Sequence, residues 1–278
     1  MSEPASGFVA GAPRLHYLEW NPGAPEALVL LHGNSANAWW WRGFAGRLDA
    51  ARFRLVAIDL RGHGDSEWAR PAAYSPHDYA ADAARAIGAL GLRRPIVVGH
   101  SMGGIATVAF AARYRELARA AVAIDIAVTS SPRRNRYLAR LKALPTVIYP
   151  DLETARARFR LMPDEGGIAA EVRAEIAARS LRRTADGRFT MKFDRESFFG
   201  SDGLDALAAI ATVRMPLLLV RAGMSRIMTA EAAARAAAAN PLVELIEIPA
   251  THHHLPLERP DLLAAAVTEF IDGLAASG

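Results

Sequence analysis

Residues 95–104 read PIVVGHSMGG: an apolar run breaks into Gly99-His100-Ser101-Met102-Gly103, and a helix-compatible stretch follows. The G-x-S-x-G spacing places a serine on a tight turn from strand to helix. Glycine at 99 and 103 removes side chains that would collide where the backbone reverses, and the turn leaves the hydroxyl exposed at the carboxyl edge of a sheet. Taken alone, the pattern also fits a plain glycine-rich turn, so its surroundings carry the reading.

On both sides of this turn, short apolar strand candidates alternate with helical stretches. The strands fall at 14–20, 27–32, 53–59, 95–100, 119–125, 215–221 and 242–248; the helices lie near 39–48, 76–90, 102–115, 229–239 and 259–274. Such alternation predicts βαβ units and a mostly parallel sheet. Pro76 after Ser75, and Pro260 with Asp261 ahead of an apolar run, mark helix starts. The alternation stops after Asp125 and resumes near Met215. The interval holds the helical patterns RRNRYLARLKAL (133–144) and GIAAEVRAEIAARSLRR (167–183), and a DG turn in TADGRFTMKF (184–193). It reads as an insertion over the sheet, a mainly helical lid at 129–212, with the core formed by 1–128 and 213–278.

Composition excludes several classes. About half of the 278 residues are apolar and 22% are charged, which suits a folded globule rather than a disordered chain. There is no cysteine, so disulfides and thiolate metal sites are excluded. The net charge is +4, and residues 129–212 alone, with 15 Lys and Arg against 11 Asp and Glu, account for that excess. The basic residues sit in short groups without interleaved aromatic pairs, which disfavours nucleic acid and leaves a weak preference for acidic substrates. The N-terminal stretch lacks a basic start followed by an apolar run, and no segment approaches the roughly 20 apolar residues of a membrane helix. A soluble, cytoplasmic protein is expected, monomer or homodimer, with no membrane partner. Neither glycine fingerprint of phosphate-loop or dinucleotide chemistry is present.

Three further motifs surround the serine turn: LHGN (31–34) after one strand, DLRGHGDS (59–66) after the next, and THHHLPLERP (251–260) near the C-terminus. With them the chain resembles the α/β-hydrolase superfamily, in its lid-bearing serine esterase and C–C hydrolase branch, over residues of about 10–128 and 213–275. The resemblance implies a mostly parallel sheet flanked by helices, with the lid inserted after the sixth core strand. It also implies that Ser101 is the nucleophile and that backbone N–H groups of Asn34 and Met102 form the oxyanion hole. His253 lies five residues before Glu258 of an E-x-P pair, the usual place of the base; His252 and His254 remain alternatives one register away. A His-rich turn that binds adventitious metal is the bland reading of the same residues, and packing is the bland role of His32, His63 and His100.

The acid is displaced. In most of the family it follows the strand ending here at Arg221, in residues 221–231, RAGMSRIMTAE, where Ser225 occupies the aspartate position. A base needs a carboxylate to fix its tautomer and stabilise the imidazolium. The superfamily's second solution puts the acid at the end of the preceding core strand, which is Asp125 here; the alternative is that Asp125 only caps the turn into the lid.

The expected function is hydrolysis of carboxylic esters of small to medium acyl substrates through an acyl-enzyme, without cofactor or metal. The same residues could cleave a C–C bond or open a lactone, and a low-turnover ligand receptor is the rival of another class. Trp39, Phe189 and Phe193 are the expected substrate contacts, within a larger set of aromatic and thioether residues (Trp40, Trp41, Met191, Phe198, Phe199) whose plainer role is packing.

Overall fold

The computed structural model describes residues 3–129, 131–198 and 204–276; Phe199 lies outside them. In chain order the strands are β1 (Ala5–Val9), β2 (Leu15–Trp20), β3 (Glu26–Leu31), β4 (Phe53–Ile58), β5 (Ile96–His100), β6 (Ala120–Ile124), β7 (Leu181–Arg183), β8 (Phe189–Met191), β9 (Leu217–Ala222) and β10 (Val243–Ile248). The helices are α1 (Arg42–Ala45), α2 (Pro76–Ala89), α3 (Met102–Arg113), α4 (Pro132–Ala143), α5 (Leu152–Ala157), α6 (Ala170–Arg179), α7 (Ala206–Thr212), α8 (Ala230–Ala238), α9 (Leu255–Glu258) and α10 (Pro260–Ala276).

Eight strands form one sheet in the order β1-β2-β4-β3-β5-β6-β9-β10. The six from β4 to β10 run parallel; β1 and β2 are antiparallel at one edge. Helices cover both faces, so the central strands are apolar on both sides and read as continuous runs. In β3, Val29 and Leu31 face a core shared with α2 and α3, while Leu28 and Leu30 face a second core shared with α1 and α10. The helix start predicted at Ser75 and Pro76 is present, and it carries a capping box: the Ser75 hydroxyl accepts from the Asp78 N–H, and the Asp78 carboxylate accepts from the Ser75 N–H.

The sequence signal missed β1. Its residues, ASGFV, begin with three small ones and are mostly exposed, because an antiparallel edge strand needs an apolar face on one side only. Counting β1 makes β6 the sixth strand of the sheet, and the chain leaves the sheet after it, returning at β9. The intervening residues form α4 to α7 and the β7–β8 hairpin, which turns through Gly187 at φ +85°. A small core joins this segment to the rest of the molecule: Phe159 and Leu161 after α5, with Ile176 of α6, pack on Trp40 and Leu257. Among the described residues no helix is long and apolar enough to cross a membrane.

Candidate active site

The serine turn forms as its glycines require. Ser101 takes φ +54° and ψ −116°, a strained region that persists only where the surroundings enforce it. A Cβ on Gly99 would lie 2.2 Å from the Gly103 carbonyl oxygen, and one on Gly103 would lie 2.2 Å from that of Leu31. Both collisions are with backbone, so neither position accepts a side chain without moving β3, β5 or α3. The Ser101 N–H donates to the Ile124 carbonyl at 2.9 Å, tying the turn to the tip of β6.

Three chain segments meet at the hydroxyl. His253, in the turn after β10, places Nε2 3.0 Å from Ser101 Oγ and Nδ1 2.6 Å from Asp125 Oδ2. Asp125 follows β6 directly, at φ +45°, and its N–H bonds the Val220 carbonyl of β9. Of the adjacent histidines, His252 turns to Glu258, and His254 donates through Nε2 to the Pro163 carbonyl. The structure therefore brings His253, not its neighbours, to Ser101. His100 donates from Nε2 to the His253 carbonyl at 2.7 Å, fixing the backbone that carries the imidazole.

Ser225 is the link that sequence reasoning left open. β6 and β9 are neighbours, so the residue after one strand and the turn after the other reach the same point. The Ser225 hydroxyl donates to Asp125 Oδ2 at 2.5 Å and accepts from the Ile227 N–H, while the Ala222 N–H donates to Asp125 Oδ1. A serine where an aspartate was expected thus supplies a donor to the carboxylate that replaces it. Asp125 is fully buried. Burial pushes its carboxyl up to about 6, against the opposing pull of Ser225 and the Ala222 N–H. Burial also pushes the His253 imidazole down, so it is held neutral and able to accept a proton at pH 7.

Met102 opens α3, so its N–H is among the four that have no intrahelical partner. Asn34 lies in the loop after β3; its side-chain Nδ2 donates to the Ser197 carbonyl and contacts the Met102 sulfur. A cavity of about 300 Å³ opens beside Ser101, lined by Met102, Ile105, Leu138, Leu141, Phe198 and His253 among others, including Asn34. Of the expected substrate contacts, Trp39, Phe189 and Phe193, none is in its lining. Trp39 lies under the Arg179 guanidinium, 3.7 Å from its ring centre. The backbone of Phe189 pairs with Arg183 in the β7–β8 hairpin and with Tyr149. Phe193 sits one layer back, stacked on His63 and meeting Phe198 edge-on. Four of the residues that do line the cavity, Arg134, Tyr137, Leu138 and Leu141, come from α4, whose helical stripe was legible, though not its target.

A second Ser-His-Asp chain shows what the first has in addition. Ser6 Oγ lies 2.8 Å from His16 Nε2, and His16 Nδ1 lies 2.7 Å from Asp59 Oδ2. Ser6, however, stands exposed on the flat edge strand β1, with no helix N-terminus behind it, and Asp59 also accepts from the Ala38 and Asp65 N–H groups. This network holds the loops after β3 and β4; it has no place for a reacting carbonyl. For a metal ion, the described residues offer two clusters: His16, Asp59 and Asp65, and His100, His253 and His254. In the second, the buried Nδ1 atoms of His100 and His254 have no hydrogen-bond partner and are the donor atoms an ion could use.

Comparison with known proteins shows the family. The alpha/beta hydrolase family model matches residues 28–266. A curated relative, 2-(acetamidomethylene)succinate hydrolase of Mesorhizobium japonicum, is 28% identical over 269 residues, 90% of this chain and 89% of its own. A crystal structure of E-2-(acetamidomethylene)succinate hydrolase superposes with a TM-score of 0.84 at 28% identity, over 97% of this chain and 99% of that one. Esterase Rv0045c of Mycobacterium tuberculosis is 28% identical over 222 residues, 76% of this chain and 70% of its own. With a family match across most of its length, this chain belongs to the alpha/beta hydrolase family.

Proposed function

We propose that the protein is a serine hydrolase that cleaves carboxylic esters of small to medium acyl substrates through an acyl-enzyme. The observation that carries this reading is the bridge from Ser101 Oγ through His253 to Asp125, at 3.0 and 2.6 Å, beside a cavity. Ser101 attacks the acyl carbon as His253 Nε2 takes its proton, and the same proton then passes to the leaving alcohol. Asp125 holds the imidazole by Nδ1 and stabilises the imidazolium. The N–H groups of Met102 and Asn34 receive the negative oxygen of the tetrahedral intermediate, each worth about 3 kcal/mol of barrier. Water repeats the cycle on the acyl-enzyme. The segment over the cavity, α4 to α7, acts as the lid. The relatives named as an esterase and as a succinate-derivative hydrolase support hydrolytic chemistry at this site.

The test is labelling with a fluorophosphonate, followed by intact mass and peptide mapping, together with steady-state turnover of simple methyl esters. Rapid single modification at Ser101 and sustained turnover are expected, and Ser101→Ala should lose both. Labelling elsewhere, or none in a folded protein, overturns the reading in favour of a binding protein on the hydrolase scaffold.

A further inference from the structure

α4 has the twelve-residue length and the pattern of a packed helix, yet none of its residues is buried. Arg134, Tyr137, Leu138 and Leu141, at i, i+3, i+4 and i+7, form one stripe, and all four line the cavity beside Ser101. The helix therefore presents its inward face to a space rather than to protein. Three members of that stripe are the residues a helix uses to cover an apolar surface. The fourth is an arginine, placed where an apolar residue would complete the pattern.

The position is costly for a cation. Arg134 is in the first turn of α4, beside Arg133, where the helix dipole favours anions, and that turn holds no acidic residue. Among the described residues the guanidinium makes no salt bridge, and the cavity lining contains no aspartate or glutamate. Desolvation is the cause that lowers its pKa, with no carboxylate acting against it. A half-buried guanidinium with no carboxylate partner among the described residues, facing an otherwise largely apolar space, favours a counter-charge that arrives with the ligand.

We propose that Arg134 is a specificity residue that binds a carboxylate of the substrate, so that the natural substrates are half-esters or other acyl derivatives of a dicarboxylic acid. Arg134 then clamps the free carboxylate while Ser101 meets the acyl carbon, with Leu138, Leu141 and Ile105 along the connecting chain. A guanidinium presents paired N–H groups that match a planar carboxylate in a way a lysine ammonium cannot. This assignment rests on the serine-hydrolase reading of the same site, and binding is measured apart from turnover so that the two can fail separately.

Calorimetry on Ser101→Ala compares monomethyl esters of C4 to C8 dicarboxylic acids with methyl esters of monocarboxylic acids of the same length. The best half-ester should bind about 30-fold more tightly, the scale of one desolvated, charge-assisted hydrogen-bonded pair. That preference should vanish when Arg134→Gln is added and survive in part with Arg134→Lys. Equal affinity for the two series, or a preference that outlasts Arg134→Gln, overturns the assignment. Turnover of the same esters is followed in the otherwise native enzyme. Hydrolysis with no preference for the half-esters refutes the role of Arg134 and leaves the hydrolase reading intact. Preferential binding without any turnover supports the anion site and refutes the esterase reading.

Discussion

Replacing Asp125 by asparagine should cost the protein its activity and relieve a pH-dependent burden on its stability. The Asp125 carboxyl is fully buried and its pKa rises from 3.8 to about 6, so the folded chain holds that proton more tightly than the unfolded chain does. A raised carboxyl pKa means that stability falls as pH climbs from about 4 to about 6 and stays at the lower level above it. A shift of about two units at 1.36 kcal/mol each gives about 3 kcal/mol. The amide introduced by Asp125→Asn cannot ionise, so the stability of this variant relative to the native chain should increase by about 3 kcal/mol between pH 4 and pH 7. Any mismatch between the new NH₂ group and the Ala222 N–H or Ser225 adds an offset that is the same at every pH and drops out of the comparison. His253 titrates in the opposite sense, burial lowering its pKa so that stability falls as pH drops below 6.5. The assay is urea unfolding at half-unit pH steps. In parallel, the fluorophosphonate labelling rate should fall by about 10⁴, the scale expected when a catalytic imidazole loses its carboxylate. A stability difference that is flat with pH refutes the buried ionised carboxylate, and undiminished labelling refutes Asp125 as the partner of His253.

Ser225→Ala removes a donor that stabilises the Asp125 carboxylate, so the acid limb of kcat/KM should move to higher pH and turnover should drop by about tenfold; an unchanged pH–rate profile would leave Ser225 as mere packing. In the native chain that limb should lie below pH 6.5, because burial keeps His253 neutral there, and a limb at pH 7 or above is inconsistent with the site as built. Alanine replacement across the histidine triplet should abolish labelling at His253 and spare most of it at His252, whose imidazole is spent on Glu258. Gly103→Ala should lose more than about 3 kcal/mol of stability, measured by thermal and urea unfolding, since its methyl group would press on the Leu31 carbonyl at 2.2 Å.

The parallel sheet, the serine turn and the register of the base are all legible in the order of the residues. Each is local: apolar runs of strand length, two glycines without which one turn cannot close, and a histidine counted back from Glu258. β1 escaped because an exposed edge strand carries little apolar signal. Asp125 could be suspected only once Ser225 was found in the place of the acid, and no pattern in the chain states that the two side chains touch. That contact exists because β6 and β9, nearly a hundred residues apart, are neighbours in the sheet, so their two turns converge on one buried point. The aromatic residues misled for the same reason. Trp39 and Phe193 have the right chemistry for a substrate pocket, but Trp39 meets Arg179 and Phe193 stacks on His63. Composition dictates that such side chains be covered; only the packing of segments distant in sequence decides whether protein or substrate covers them. Arg134 is the converse case: one of 33 basic residues in the sequence, it becomes distinct when α4 turns its stripe toward Ser101.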